Sequence, residues 1–199
     1  MEYQVILVRI NELQPHEEAR PKRVEEVAKS IARLGRVLKP VIVEERSLVI
    51  VDGHHRYHAL RRLGARYVPV VLARYGRDIE AVKPPTKTIM VPAPTPTEAL
   101  EKLVERLEEL LDPGPSTLTL RVGNTTARLT GSIESIYRAL GVLEREQAQG
   151  YPVTAIPEPL TPNNIVSLAL KGQTYPPKST LHITRLKKLY APVKLSMLL

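Results

Sequence analysis

The chain has 199 residues, of which 43% are hydrophobic, and a formal net charge of +8. This length allows one large domain or two small ones, with enough apolar residues to fill a core. Cysteine is absent, which excludes disulfides, thiolate metal sites and a cysteine nucleophile. No apolar run approaches the roughly 20 residues of a membrane span, and the N-terminus lacks the form of a signal peptide. We therefore expect a soluble, cytoplasmic protein with no membrane partner.

The positive charge favours anionic partners, which include nucleic acids, nucleotides and phosphorylated metabolites. Because the basic residues are spread over the chain, the alternative is an ordinary surface rich in Lys and Arg. The 18 prolines and the lack of cysteine are weak indications of a thermophilic source.

Residues 3–73 predict an α+β unit. A strand is expected over 3–10 and a polar loop over 11–20. Pro21 suits the first position of a helix, and Gly35 suits its end; between them lies one apolar stripe of Val24, Val27, Ile31 and Leu34. Further strands are predicted over 40–44, 48–51 and 67–73. We assign residues 1–85 to this first domain.

A proline-rich stretch follows the first unit. Residues 83–97 hold five prolines and four threonines, which predicts an extended connector, placed at 86–97. Beyond it we expect a helix capped by Thr97, a hairpin turning at 123–124, and helices beginning at Ser132 and Thr161. These elements predict a C-terminal α/β domain over residues 98–199.

Residues 51–60 concentrate an acid, a glycine, three histidines and an arginine at one corner. The preceding run 48–51 is short, apolar and β-branched, as a buried strand is. Tyr57, Leu60 and Leu63 follow at helical spacing. Asp52 and Gly53 therefore lie where a strand becomes a helix, and the N–H groups of a first helical turn can hold an anion such as phosphate.

The residues of this corner have predicted functional roles, and some of them also have a simpler structural alternative. Asp52 suits Mg²⁺, which takes one or two carboxylates, or it caps the helix. Gly53 allows close approach or a positive φ. His54, His55 and Arg56 would face phosphate from the first turn, with Arg56 as a forked donor. His54 and His58 also have the spacing of a zinc pair, although no third ligand is evident.

A late segment forms a second candidate anion site. Its ammonium, hydroxyl and imidazole groups belong to Lys178, Ser179, Thr180 and His182. The two preceding prolines favour a rigid loop, which loses less entropy on binding. The alternative is a polar loop after a capped helix. Tyr57 or Tyr175 would stack on a nucleotide base or simply pack.

The first ninety residues resemble the ParB/sulfiredoxin-like fold. The resemblance rests on residues 30–35, the run 39–43, the corner Asp52–Tyr57 and the strand 68–71. Classical ParB proteins carry an acid and two arginines after the glycine and then a helix-turn-helix domain. This chain has His54-His55-Arg56 instead, and no such domain is predicted after residue 97.

The histidine pair, the upstream His16-Glu17-Glu18 and the late Pro-Pro-Lys-Ser-Thr-x-His together resemble the archaeal free serine kinases. This resemblance implies phosphoryl transfer from ADP or ATP to the hydroxyl of free L-serine, with Mg²⁺. The usual phosphate-binding loop and protein-kinase motifs are absent, so a different pocket is implied. Leu181 departs from the pattern, since relatives often have Arg there.

The resemblance also implies roles for the glutamates and one lysine. Glu17 or Glu18 would take the serine hydroxyl proton, with Glu17 favoured; otherwise both are solvated loop residues. Lys39 would touch the serine carboxylate or a phosphate, the alternative being an exposed lysine.

Two other functions stay open: a DNA-binding or nuclease member of the ParB class, and a nucleotide-sensing switch without turnover. The sequence indicates neither the nucleotide donor nor the oligomeric state. For a kinase, we expect the early glutamates, the corner and the late loop to surround one pocket.

Overall fold

The computed structural model describes residues 3–146 and 149–199. The strands are β1 Ile6–Arg9, β2 Arg36–Val37, β3 Val41–Glu44, β4 Ile50–Asp52, β5 Tyr67–Ala73, β6 Ala81–Lys83, β7 Lys87–Val91, β8 Ser116–Val122, β9 Thr125–Gly131, β10 Tyr151–Pro157, β11 Leu181–Ile183 and β12 Val193–Lys194. The helices are α1 Pro21–Leu34, α2 His54–Arg62, α3 Pro96–Glu108, α4 Ile133–Arg145 and α5 Pro162–Leu170. The predicted α+β class is confirmed.

Local capping chemistry sets most helix ends. Helix α1 begins with Pro21 and ends at Gly35, whose φ of 63° a side chain would disfavour. The hydroxyl of Ser132 accepts a hydrogen bond from the Ser135 N–H at the start of α4. Helix α3 is capped by Thr95 rather than the predicted Thr97, because Pro96 takes the first helical position and sets its φ.

The chain divides into two compact units, and the first contains residues up to Val82, Thr161–Pro177 and His182–Leu199. Its four-stranded sheet has the order β1-β5-β3-β4. Strand β3 runs parallel to β5, while β1 and β4 are antiparallel to their neighbours. Helices α1 and α2 pack against each other, and the core between helices and sheet is formed by Ala28, Ile31, Val41, Val43, Ile50, Leu60, Val68 and Val70.

The second unit contains Lys83–Leu160 and Lys178–Leu181. Its sheet is antiparallel throughout, with the order β7-β10-β8-β9. Helices α3 and α4 pack on this sheet. The buried side chains of those helices include Leu100, Leu103, Leu107, Ile136 and Leu140.

The structure divides the chain differently from the predicted domains. The proposed connector 86–97 contains strand β7, in which Lys87, Ile89 and Val91 are buried. The prolines on both sides of β7 are typical of a linker. For that reason the sequence predicted a connector here and not a strand with alternating buried and exposed residues. The chain after residue 160 mostly returns to the first unit, where the Leu198 carbonyl accepts hydrogen bonds from the N–H groups of Arg66 and Tyr67 at 2.7 and 3.0 Å.

Within the two described stretches of chain, no helix is both long enough and apolar enough to cross a membrane.

Candidate active site

The predicted corner forms where β4 meets α2. Gly53 is the cap residue of α2 and has φ 105° and ψ 22°, a conformation that residues with a Cβ rarely adopt. A Cβ at Gly53 would lie 3.0 Å from Arg56 Nη2 and 3.1 Å from its Cζ. Glycine therefore suits the backbone of the turn, and it leaves room for the Arg56 guanidinium, which an added Cβ would crowd.

Arg56 reaches back across the corner instead of pointing out of it. Its Nη2 donates to Asp52 Oδ2 at 2.6 Å, and its Nη1 donates to the carbonyls of Lys39 and Pro40 at 3.0 and 2.5 Å. Burial lowers the pKa of Arg56 from its ordinary value, and the Asp52 carboxylate opposes that shift. Three protein acceptors thus surround one guanidinium.

The loop that carries the two glutamates is fixed by backbone hydrogen bonds. The Tyr175 N–H donates to the His16 carbonyl at 2.8 Å, and the Glu18 N–H donates to the Tyr175 carbonyl at 2.9 Å. Glu17 lies between these bonds and pairs with Tyr175 in an isolated parallel bridge. Glu17 is half-buried and Glu18 is exposed, so the two residues differ in their exposure to solvent.

Three histidine rings lie close together next to the two glutamates. The ring of His16 lies edge-on to the rings of His54 and His182, with centroids 4.5 and 5.6 Å away. His16 Nδ1 is 2.6 Å from the Ile50 carbonyl oxygen, and the Tyr75 hydroxyl is 2.9 Å from His182 Nε2. The sequence did not predict His16 or Tyr75 as site residues, because their positions in the chain do not show that their rings lie next to His54 and His182.

Burial is the largest cause of the low basicity of these rings. It lowers the pKa of His16 to about 4 and that of His182 to about 3. The pKa of His54 also lies well below its ordinary value, by burial and by the neighbouring histidines. All three rings are therefore neutral near pH 7.

A cleft of about 530 Å³ opens beside the corner. Seven predicted site residues contribute to its wall, namely Glu17, Lys39, Asp52, Gly53, His54, His55 and Arg56. Helix α1 and β2 supply an apolar side with Val27, Ile31, Leu34 and Val37. The sequence predicted the apolar stripe of α1 but not that Val27, Ile31 and Leu34 of this stripe line a cleft.

The other predicted residues lie in varied surroundings. His55 Nε2 accepts a hydrogen bond from the Arg20 N–H at 3.3 Å, and Lys39 Nζ donates to the Lys187 carbonyl at 3.4 Å. Tyr57 is 4% exposed and belongs to the core of the first unit, where it does not line the cleft.

The late motif is divided between the two units. His182 belongs to the first unit and joins the histidine cluster, whereas Lys178, Ser179 and Thr180 are counted with the second unit. Ser179 is buried, and Lys178 has a positive φ of 60°. The expected convergence of these three residues with the corner stays a prediction.

Within residues 3–146 and 149–199, no group of three or more His, Cys, Asp or Glu side chains has the arrangement of a metal site. His54 and His58 are therefore not joined by a third protein ligand there, as a zinc site would require.

Comparison with known proteins connects this geometry to a family. Residues 2–82 match the ParB N-terminal domain family. A ParB-like protein of Sulfolobus acidocaldarius is 28% identical over 191 residues, which span 91% of each chain.

Two further relatives have names that state an activity. An ATP-dependent L-serine kinase of Staphylothermus marinus is 24% identical over 213 residues and matches 89% of this chain and 84% of its own. An ADP-dependent L-serine kinase of Thermococcus kodakarensis is 24% identical over 210 residues, with coverage of 89% and 86%. The resemblance to free serine kinases that the sequence predicted is confirmed.

The fold agrees with these relatives. A solved structure of a free serine kinase in complex with AMP superposes with a TM-score of 0.76 and 22% identity, and it covers 100% of this chain and 95% of its own. The likeness of fold therefore covers the whole chain and is not confined to residues 2–82.

Proposed function

We propose that the protein is a free L-serine kinase, which transfers a phosphoryl group from ADP or ATP to L-serine and forms O-phospho-L-serine. The observation that carries this proposal is the cleft that Glu17 and Asp52 both line, at the N-terminal end of helix α2. The nearly full-length similarity to kinases that use ATP or ADP supports the substrate and both candidate donors.

Glu17 is the proposed base. Its backbone is held on both sides by the hydrogen bonds to Tyr175, and its side chain lines the cleft, which that of Glu18 does not. Glu17 takes the proton of the serine hydroxyl as the oxygen attacks the terminal phosphorus. The bond from that phosphorus to the remaining nucleotide breaks, and AMP leaves from ADP or ADP leaves from ATP.

The N-terminus of α2 is the proposed phosphate-binding element. Its first-turn N–H groups and the positive end of its dipole favour an anion at the corner. Lys39 and His55 line the same cleft, so that an ammonium and an imidazole are available to phosphate oxygens or to the serine carboxylate. Lys178, Ser179, Thr180 and His182 are proposed to complete the nucleotide site.

Mg²⁺ fits the carboxylates of this cleft. Asp52 gives one oxygen to Arg56, and a carboxylate has a second oxygen that suits a hard cation with water and phosphate ligands. Asp52 would hold the ion, and Glu17 also lines the cleft. Bound there, Mg²⁺ would offset the negative charge of the nucleotide phosphates.

A direct assay tests the proposed activity. Purified protein is incubated with L-serine, Mg²⁺ and either ADP or ATP at elevated temperature, and phosphoserine is measured by mass spectrometry together with AMP and ADP. We expect phosphoserine in equal amount to the nucleotide product with at least one donor. Absence of phosphoserine with both donors would refute the proposal. Bound nucleotide without turnover would then indicate a nucleotide-sensing switch.

A ParB-like DNA-binding protein or nuclease is the second candidate, favoured by the ParB domain match and by the charge of +8. DNA binding through phosphate contacts weakens steeply with salt. A gel shift at moderate salt, with nucleotide and serine as competitors, separates the two functions. Tight DNA binding that nucleotide does not displace, or DNA cleavage, would favour this second candidate.

A further inference from the structure

Arg56 occupies an unusual position for a residue expected to bind phosphate. An arginine has five N–H donors, and three donor–acceptor pairs already join its guanidinium to Asp52 and to the carbonyls of Lys39 and Pro40. Its side chain is 22% exposed. Most of its binding capacity is thus directed at the protein.

The three acceptors belong to two separate segments that both border the cleft. Lys39 and Pro40 precede β3, whereas Asp52 is the last residue of β4. Because Nη1 binds the first segment and Nη2 binds the second, the planar guanidinium fixes the distance between them. A lysine carries the same charge, but its single nitrogen cannot reproduce this planar fork.

Gly53 completes the arrangement. The guanidinium lies against the Gly53 backbone, where an added Cβ would come within 3.0–3.2 Å of Nη2, Cζ and Nε. The residue that allows the turn therefore also leaves room for the arginine. Sequence neighbours at positions 52, 53 and 56 form one packed unit.

We propose that Arg56 is a positioning residue, which orients the Asp52 carboxylate and holds the Lys39–Pro40 segment at the edge of the cleft. This inference rests on the proposed function and deepens it, since it assigns Arg56 to the protein side of the site and not to the nucleotide phosphates. Arg56 acts through Asp52, so its removal affects the chemical step more than nucleotide binding.

The test is a double-mutant cycle of Arg56→Lys and Asp52→Asn, with Arg62→Lys at the exposed end of the same helix as the matched control. We expect Arg56→Lys to lower kcat by at least about tenfold while the Kd for ADP or ATP, measured by calorimetry without Mg²⁺, changes less than about threefold. In the Asp52→Asn background the same change should lower kcat by less than about twofold further, because coupled residues are not additive.

Two results would overturn the inference. One is a Kd for nucleotide that rises as much as kcat falls, with the full effect retained in the Asp52→Asn background; this would make Arg56 a phosphate ligand. The other is unchanged kcat in Arg56→Lys. If Arg56→Lys does not fold, Arg56→Gln replaces it in the cycle, since glutamine keeps N–H donors but lacks the planar fork, and the same ratio of effects is expected.

Failure of the kinase proposal would be recognised separately, because the wild-type protein would then make no phosphoserine. In that case the wild type, the two single variants and the double variant of the cycle are compared by thermal unfolding and nucleotide calorimetry. Non-additive changes in Tm with constant nucleotide affinity support the positioning role, and additive changes in Tm refute it.

Discussion

The imidazole of His16 lies edge-on to that of His54, with ring centroids 4.5 Å apart, and the backbone N–H of His16 donates to His54 Nε2 at 3.4 Å. This contact joins the loop that carries Glu17 to the first turn of helix α2. The proposed base and the proposed phosphate-binding corner are therefore held together by neutral, buried imidazoles. Protonation of these rings would disturb both halves of the cleft.

The stability of the protein should fall in acid below pH 6.5. The pKa of His16 is lowered from 6.5 to about 4 in the folded protein, so between these values the unfolded chain binds a proton that the folded chain does not. Stability is therefore lost as pH falls from 6.5 to about 4, by about 3 kcal/mol for a single group with this shift.

Urea unfolding at a series of pH values measures this loss. The His16 ring is packed against the Ile50 carbonyl, His54 and His182, and burial is the largest cause of its lowered pKa. His16→Gln should flatten the pH dependence between 4 and 6.5, and His182→Gln should do so too. A profile of the wild type that is flat in this range would contradict the assignment.

Exchanging Glu17 for Gln should abolish turnover and leave nucleotide binding intact. The amide cannot accept the hydroxyl proton, so kcat should fall at least about 100-fold. Glu18→Gln is the matched control, because the neighbouring side chain is exposed and does not line the cleft; its kcat should stay within about twofold. Loss of activity only in Glu18→Gln would move the base to that position.

Removing the charge of Asp52 should raise the Mg²⁺ concentration needed for activity. Asp52→Asn keeps the shape of the side chain but loses the anionic oxygen that a hard cation prefers. We expect the midpoint of Mg²⁺ activation to rise at least about tenfold. Steady-state rates over a Mg²⁺ titration provide the measurement, and an unchanged midpoint would show that the ion is held elsewhere.

Gly53→Ala should destabilise the protein more than Gly64→Ala does. Both glycines have positive φ, 105° and 76°, so both substitutions meet backbone strain of about 1 kcal/mol. Only at Gly53 does the new Cβ also meet a neighbour, the Arg56 guanidinium, since nothing lies within 4 Å at Gly64. Thermal unfolding of the two variants gives the comparison, and equal losses of Tm would show that the guanidinium moves aside without cost.

Local patterns determined much of the first unit. The periodicity of Val24, Val27 and Ile31 between Pro21 and Gly35 predicted helix α1, and the run Tyr67–Ala73 predicted β5 with the observed bounds. These signals are readable because the physics of helix ends and of alternating burial acts over a few neighbouring residues. The Asp52–Gly53 corner was likewise predicted from its flanking strand and helix.

The long-range partners were decided by the tertiary structure alone. The sequence places three candidate phosphate ligands at positions 54, 55 and 56. In the folded chain His54 is buried against His16, and His55 accepts a hydrogen bond from the Arg20 N–H. Arg56 donates to Asp52 and to the Pro40 carbonyl. Asp52 lies only four residues before Arg56, but the other partners lie 16 to 38 residues away in the chain, so nothing within a few residues of the corner specifies them. The sequence thus determined which chemical groups are available, and only packing decided which of them face the cleft and which hold it in shape.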